Sequence, residues 1–261
     1  CTAGDTCSSA GQCTGKAKTC TDGVPCTEDS CDTLTGKCVF PPIVGACNDG
    51  NACTTGDACV GGKCVIPDTI SAWVGNGSGG YTNGQGTAAR VYYPRGMARA
   101  SNGTVYLADR QSHRIRAISP TGATTLFAGS GIYGSTNGAV ASARFAYPSG
   151  VAVTSNNAVV YVADRSNHRI RKITGGQVTT FAGSGSAGFT DAKSTSARFY
   201  YPEGVAVDPT NASVIVADSY NNRVRRITAA GVVSTVAGNG SSTYKEGKGT
   251  ASSFYRPYGV D

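Results

Sequence analysis

Several things are scarce or missing in this 261-residue chain. No cysteine follows Cys64, no tyrosine precedes Tyr81, and Trp73 is the single tryptophan. There are only two histidines, His113 and His168, and charged residues make up 15% of the sequence. No apolar run approaches the roughly 20 residues that a membrane-spanning helix needs. The first residues lack the basic and apolar blocks of a secretory leader. If the protein is secreted, the leader is therefore expected upstream of Cys1, with the chain continuing beyond this segment. No C-x-x-C occurs, and the gaps between cysteines are four to eight residues. A structural zinc site, which wants close cysteine pairs or nearby histidines, is thus disfavoured. Neither a G-x-S-x-G elbow nor a phosphate-binding P-loop is present.

What is present divides in two near Val65–Thr69. Residues 1–68 hold all eleven cysteines, with four Lys against eight acids. The remainder holds 19 basic residues against eight acids, a net charge of +11. Such a surplus suits an acidic partner, or it is an ordinary solvated surface. Eleven cysteines in 64 residues point to an oxidising compartment and to disulfides. Domains are assigned at 1–66 and 67–261.

The first segment is built from one small unit. Residues 20–38 read C-TDGVP-C-TEDS-C-DTLTGK-C, and residues 47–64 read C-NDGNA-C-TTGDA-C-VGGK-C. Residues 1–13, C-TAGDT-C-SSAGQ-C, match the last three cysteines of that unit. The cysteines thus sort into Cys1, Cys7 and Cys13; Cys20, Cys26, Cys31 and Cys38; and Cys47, Cys53, Cys59 and Cys64. One of the first three is left without a mate, unless an intermolecular or free thiol explains the odd count. Four cysteines allow three connectivities, so pairing stays open. A unit of about 20 residues cannot bury a core and needs covalent closure. Residues 20–43 resemble the short Cys-rich repeat of slime-mould extracellular matrix proteins. That resemblance implies a structural role outside the cell.

The second segment repeats every 54 or 55 residues. Pro94, Pro148, Pro202 and Pro257 mark the register, within VYYPRGMA, FAYPSGVAV, FYYPEGVAV and FYRPYGV. Asp109, Asp164 and Asp218 end VYLAD, VYVAD and VIVAD, and Gly75, Gly129, Gly183 and Gly238 keep the same spacing. The tracts SHRIRAI, NHRIRKI and NNRVRRI follow each Asp. Short runs rich in β-branched and aromatic residues, separated by turn residues, predict four strands per repeat and no long helices. The fold expected is all-β: three blades at roughly 95–128, 149–182 and 203–237, an outer strand near Ile70–Gly75, and half an inner strand at Tyr258–Asp261. The motifs GVAV, VYVAD and NHRIRKI resemble the NHL repeat over residues 70–261. The resemblance implies a β-propeller, with roles in binding proteins, RNA or glycans and a lyase activity in one branch.

Each marker has a physical expectation. The Asp residues should accept hydrogen bonds from the next turn, an Asx-turn, and can pair with an Arg. The Arg stems (Arg114, Arg116, Arg169, Arg171, Arg223, Arg225) should lie on apolar surface with their heads in water, while Ile115, Ile170 and Val224 pack between blades. The long Gly-rich loops carry Tyr81, Tyr133, Phe189 and Tyr244, which either tuck over the blade edge or contact a ligand. His113 and His168 share a repeat position with Asn222, so a turn hydrogen bond fits them better than a metal. No cofactor, metal or catalytic residue is expected. Four N-glycosylation sequons start at Asn76, Asn102, Asn211 and Asn239. Together these features predict a non-enzymatic extracellular structural or adhesive glycoprotein. Its expected partners are neighbouring chains or copies of itself, and glycans, with no nucleic acid and no membrane span in this segment. The alternatives are a propeller module binding an anionic glycan or protein, and a metal-dependent lyase.

Overall fold

A computed structural model describes residues 72–261, and four short strands before them. These are β1 (Ser30–Cys31) with β2 (Cys38–Val39), and β3 (Ala58–Val60) with β4 (Lys63–Val65), two antiparallel strand pairs. The disulfide assignments for the eleven cysteines lie outside the described residues. The chain divides into two compact units, Cys1–Ser71 and Ala72–Asp261.

The second unit is three antiparallel blades. Blade one holds β5 (Gly84–Gln85), β6 (Pro94–Arg99), β7 (Val105–Asp109), β8 (Arg114–Ile118) and β9 (Ala123–Ala128), in the order β5-β9-β8-β7-β6. Blade two repeats it with β10 (Gly138–Ala139), β11 (Val151–Val153), β12 (Val160–Asp164), β13 (Arg169–Thr174) and β14 (Gln177–Ala182). Blade three holds β15 (Pro202–Val207), β16 (Val214–Asp218), β17 (Arg223–Ile227) and β18 (Val233–Ala237), with a Lys193–Val232 bridge where β5 and β10 stand in the others. The expected strand content of each blade is therefore present, plus, in blades one and two, a fifth, outermost strand contributed by the loop that precedes the blade. Two expected strands are not. Residues 72–75 and Tyr258–Asp261 form none, and the outer edge of blade one is β5 instead. The only helical turns in the described residues are single turns of 3₁₀ helix, none long enough to cross a membrane.

The two larger clusters of the core lie between blades, and a smaller one of Val105, Leu107 and Ile118 lies on blade one. One cluster joins Ile115 and Ala128 of blade one to Val151, Val162 and Ile173 of blade two. The next joins Tyr161, Ile170 and Ala182 to Val205, Val216 and Ile227 of blade three. Phe145 and Phe199, from the A-R-F-x-x-P tracts of the loops, are completely buried in these clusters. Full burial of one such ring contributes about 1.5–3 kcal/mol.

The inner strands approach one another at the Pro-x-Gly tract. The Gly96 N–H donates to Ser149 O at 2.7 Å, joining β6 to the lead-in of β11. A Cβ on Gly96 would sit 2.6 Å from that same oxygen, and one on Gly204 would sit 2.5 Å from Tyr258 O. Glycine stands at these positions because another backbone occupies the space a side chain would need.

Candidate functional site

Three polar arrangements recur from blade to blade and account for most of the residues singled out by the sequence. The first is a buried Asp–Arg clamp. In blade two, Asp164 Oδ2 accepts from Arg171 Nη1 at 2.7 Å and from Asn167 Nδ2 at 2.8 Å, while Oδ1 accepts from the Ala146 N–H at 2.8 Å. Arg171 also donates to the carbonyls of Arg144 and Thr136 and to Asn137 Oδ1 at 2.7 Å. Asp109 with Arg116 (3.1 Å) and Asp218 with Arg225 (2.7 Å) repeat the pairing. All six side chains are essentially without exposure to solvent. Burial pushes the three carboxyls up from their ordinary value, and the backbone, amide and guanidinium donors pull against it. With every oxygen satisfied by donors, the carboxylate is the form the clamp is built to hold.

This corrects two expectations. The Asp does not cap the turn that follows it. It reaches back 17 or 18 residues, to the N–H of Tyr92, Ala146 or Tyr200 in the loop leading into its own blade. Arg116, Arg171 and Arg225 do not place their heads in water. Each of these guanidiniums is covered by the loop that leads into its own blade, through the carbonyls of Thr82 and Arg90, of Thr136 and Arg144, and of Thr190 and Arg198. The register shifts between Ile115 and Arg116, Ile170 and Arg171, and Val224 and Arg225 put an extra residue in the neighbouring outer strand beside each clamp. Arg114, Arg169 and Arg223 are the half-exposed members, donating to Ser130 O, Ser184 O and Asn239 O at 2.8–2.9 Å. Ile115 and Ile170 are fully buried between blades as expected, but Val224 is only half-buried.

The sequence reading missed the third member of the clamp. Asn83, Asn137 and Asp191 cap the buried guanidiniums at the same repeat position. The T-N-G, T-N-G and T-D-A tracts carried the signal, hidden within loops read only as Gly-rich. Asp191 also accepts from the N–H and hydroxyl of Thr235.

The second arrangement is a latch between blades. Tyr147 and Tyr201, each just before the register proline, have left-handed backbones with φ of 50° and 48°. The Tyr147 N–H donates to His113 Nδ1 of the preceding blade at 3.2 Å, and the Tyr201 N–H donates to His168 Nδ1 at 3.1 Å. In the third copy the Arg256 N–H donates to Asn222 Oδ1 at 2.9 Å. The two imidazoles thus accept through Nδ1, which requires the neutral tautomer with its proton on Nε2. Among the described residues, no group of three His, Cys, Asp or Glu side chains converges to hold a metal ion.

Burial and the adjacent Arg114 pull the His113 pKa below its ordinary 6.5, and burial and Arg165 do the same to His168. The folded state therefore holds fewer protons than the unfolded chain as pH falls through 6.5. The latches' contribution is complete above that pH and declines below it. Thermal unfolding at pH 7.5 and pH 5 is expected to show a loss of about 1 kcal/mol per latch, the size of one net hydrogen bond. The H113N/H168N variant, which copies Asn222, should flatten that pH dependence while staying folded. An unchanged slope in the variant would remove the histidines from the account.

The third arrangement is the loop face. Tyr81, Tyr133, Phe189 and Tyr244 do not tuck over the blade edge; all four are exposed, and Phe145 and Phe199 do the packing. The Arg114 guanidinium lies 3.9 Å from the Tyr81 ring centre, and that of Arg223 lies 3.8 Å from the Phe189 ring centre, close cation–π contacts. Arg165 lies 4.3 Å from the Tyr201 ring and is ion-paired through Nε with Glu203 Oε1. The four sequon asparagines are exposed. Each Oδ1 accepts from the N–H of the Ser or Thr two residues on: Ser78, Thr104, Ser213 and Ser241, at 2.8–3.0 Å.

The blades match known proteins. The NHL repeat matches residues 145–173 and 199–227, each running from the loop phenylalanine through the paired Asp and Arg of one clamp. The chain is similar to Protein SUPPRESSOR OF QUENCHING 1, chloroplastic, from Arabidopsis thaliana, 35% identical over 133 residues, covering 47% of this chain and 12% of that protein. It is also similar to NHL repeat-containing protein 2 from Bos taurus, 29% identical over 146 residues, covering 51% of this chain and 20% of that protein. The chain thus spans only a small part of the length of the relatives it matches. Among solved structures, an auxiliary nutrient binding protein from Bacteroides ovatus superposes with a TM-score of 0.51 at 20% identity, covering 66% of this chain and 44% of that one. These likenesses show NHL repeats at residues 145–173 and 199–227 and a propeller-like fold.

Proposed function

We propose that these NHL-repeat blades form the scaffold of an extracellular structural or adhesive glycoprotein, carried with the disulfide-rich units of residues 1–66. The reading rests on how the polar residues are used. The Asp, Arg and His side chains that would otherwise suggest chemistry occupy the same internal hydrogen bonds at successive blade positions. Where the histidine is absent, Asn222 makes the same bond. Residues consumed in this way build a scaffold, which supports a role without catalysis. The cysteine density supports an oxidising compartment, and the four exposed sequon asparagines support passage through the secretory route.

The test is expression of the full chain behind a secretory leader in eukaryotic cells. The chain recovered from the medium is expected to run above 26.5 kDa and to return to that mass when N-glycans are removed. Thiol titration after denaturation should find no more than one reactive cysteine of the eleven. Eleven free thiols with no glycan-dependent mass would sink this reading.

A further inference from the structure

Five asparagines directly precede a glycine: Asn76, Asn83, Asn102, Asn137 and Asn239. In such a pair the glycine nitrogen can attack the asparagine side chain, because the glycine has no β-carbon to shield it. All five asparagines are exposed, so access to water does not sort them. What sorts them is whether the attacking N–H is already engaged. A backbone N–H bonded to a carbonyl must give up that bond before it can lose its proton.

Three pairs are engaged. The Gly103 N–H donates to Ala100 O at 2.9 Å. Gly84 and Gly138 lie in β5 and β10, opposite Thr124 and Val178. Along the same ladders the Gly86 N–H donates to Gly122 O and the Val140 N–H to Gly176 O, each at 3.0 Å. Antiparallel ladder bonds recur at every second residue, which directs the Gly84 and Gly138 N–H groups across the ladder as well. The carboxamides are tied down too: Asn83 Oδ1 and Asn137 Oδ1 each accept from a buried guanidinium at 2.7 Å.

Asn76 and Asn239, which share one repeat position, differ. Neither the Gly77 nor the Gly240 N–H has an acceptor among the described residues. Asn76 Oδ1 accepts from the Ser78 N–H at 3.0 Å, and Asn239 Oδ1 from the Ser241 N–H at 2.8 Å. These donors polarise the carboxamide and suit the oxyanion that forms on attack. At Asn239 a cation adds to this. Arg223 Nη2 donates at 2.8 Å to Asn239 O, the carbonyl of the peptide bond whose nitrogen attacks. A donor there favours the deprotonated amide.

We propose that Asn76-Gly77 and Asn239-Gly240 are self-modification sites, at which the unglycosylated chain converts asparagine to aspartate and isoaspartate. The glycine nitrogen gives its proton to solvent and bonds to Cγ. The Cγ–Nδ2 bond breaks, and Nδ2 takes up a proton and leaves as ammonia. Water, the one co-reactant, then opens the five-membered ring at either carbonyl. Opening at the main-chain carbonyl routes the backbone through the side chain and lengthens it by one methylene. At Asn239 this displaces Gly240 O, which accepts from the amide of the latch residue Asn222 at 3.2 Å. A glycan on Nδ2 occupies the leaving nitrogen and protects the site.

The experiment uses the full chain made in a bacterial periplasm, where disulfides form and these sequons stay bare. It is held at pH 8 and 37 °C, folded or in urea. Peptide mapping with isoaspartyl methyltransferase labelling follows all five pairs. In urea, where neither ladder nor turn persists, the five should convert at similar rates. In the folded chain Asn76 and Asn239 should run about five-fold or more ahead of Asn83, Asn102 and Asn137, the rate equivalent of one net hydrogen bond. N76S/N239S copies Ser130 and Ser184, which stand at the same repeat position and accept through Oγ from the N–H two residues on. It should remove most of the folded-state isoaspartate and leave the melting temperature unchanged. If that variant melts lower, the rates in the unmodified chain decide alone. Equal folded rates at all five pairs, or either Asn76 or Asn239 no faster than Asn102, would overturn the proposal. Failure of secretion or glycosylation leaves these rates untouched.

Discussion

Replacing Arg171 with Met is expected to destabilise the protein by about 3–5 kcal/mol, the cost of leaving a buried charge without its partner. Asp164 would then face only the Asn167 amide and the Ala146 N–H, in a site with no access to water. The carbonyls of Arg144 and Thr136, and the Asn137 side chain, would lose their donor at the same time. Urea unfolding followed by circular dichroism measures the loss. The double variant D164N/R171M, which removes the charge as well, should recover part of it. A loss under about 1 kcal/mol for R171M would mean that the clamp is not what holds the loop to the blade.

The second large effect is expected from Gly150→Ala. A Cβ at this position would collide with the carbonyl oxygen of Glu203, and would stand 2.9 Å from Val205 N and 3.1 Å from Gly204 Cα. All three are backbone atoms of blade three, so no side chain can swing aside. The variant is expected to lose about 3 kcal/mol or more as the junction is forced apart. Gly175→Ala, at a turn where nothing lies within 4 Å, is the comparison. Its backbone has φ of 55°, so it carries a conformational cost without a collision. If the two variants melted together, close approach of the inner strands would not explain the glycine in Pro-x-Gly.

The repeat period, the strand content of each blade and the positions of the structural residues were legible because they are local and periodic. Four markers at one spacing locate the blades without any knowledge of how they pack. Phe145 and Phe199 were legible as part of a tract, but not as the buried rings. The more conspicuous Tyr81 and Tyr133 lie in stretches that look equally suited to packing. What separates them is which segment passes between two blades, and no local pattern records that. The same limit applies to Arg114 and Arg116. They are two residues apart and chemically identical, yet one is half-exposed and the other fully buried.

By itself, the sequence determined that the part after the cysteines is built from short strands in a 54- or 55-residue repeat, that Pro and Gly mark each inner strand, and that Asp and Arg recur in register. Only the tertiary structure decided that Asp164 reaches back to the Ala146 N–H, that His113 holds the next blade's backbone, and that Arg165 pairs with Glu203. The physical reason is separation along the chain. These partners lie 18 to 38 residues apart, or on neighbouring blades. They meet only because sheet twist and inter-blade packing bring them together, and the hydrophobic burial that drives this packing is indifferent to sequence distance.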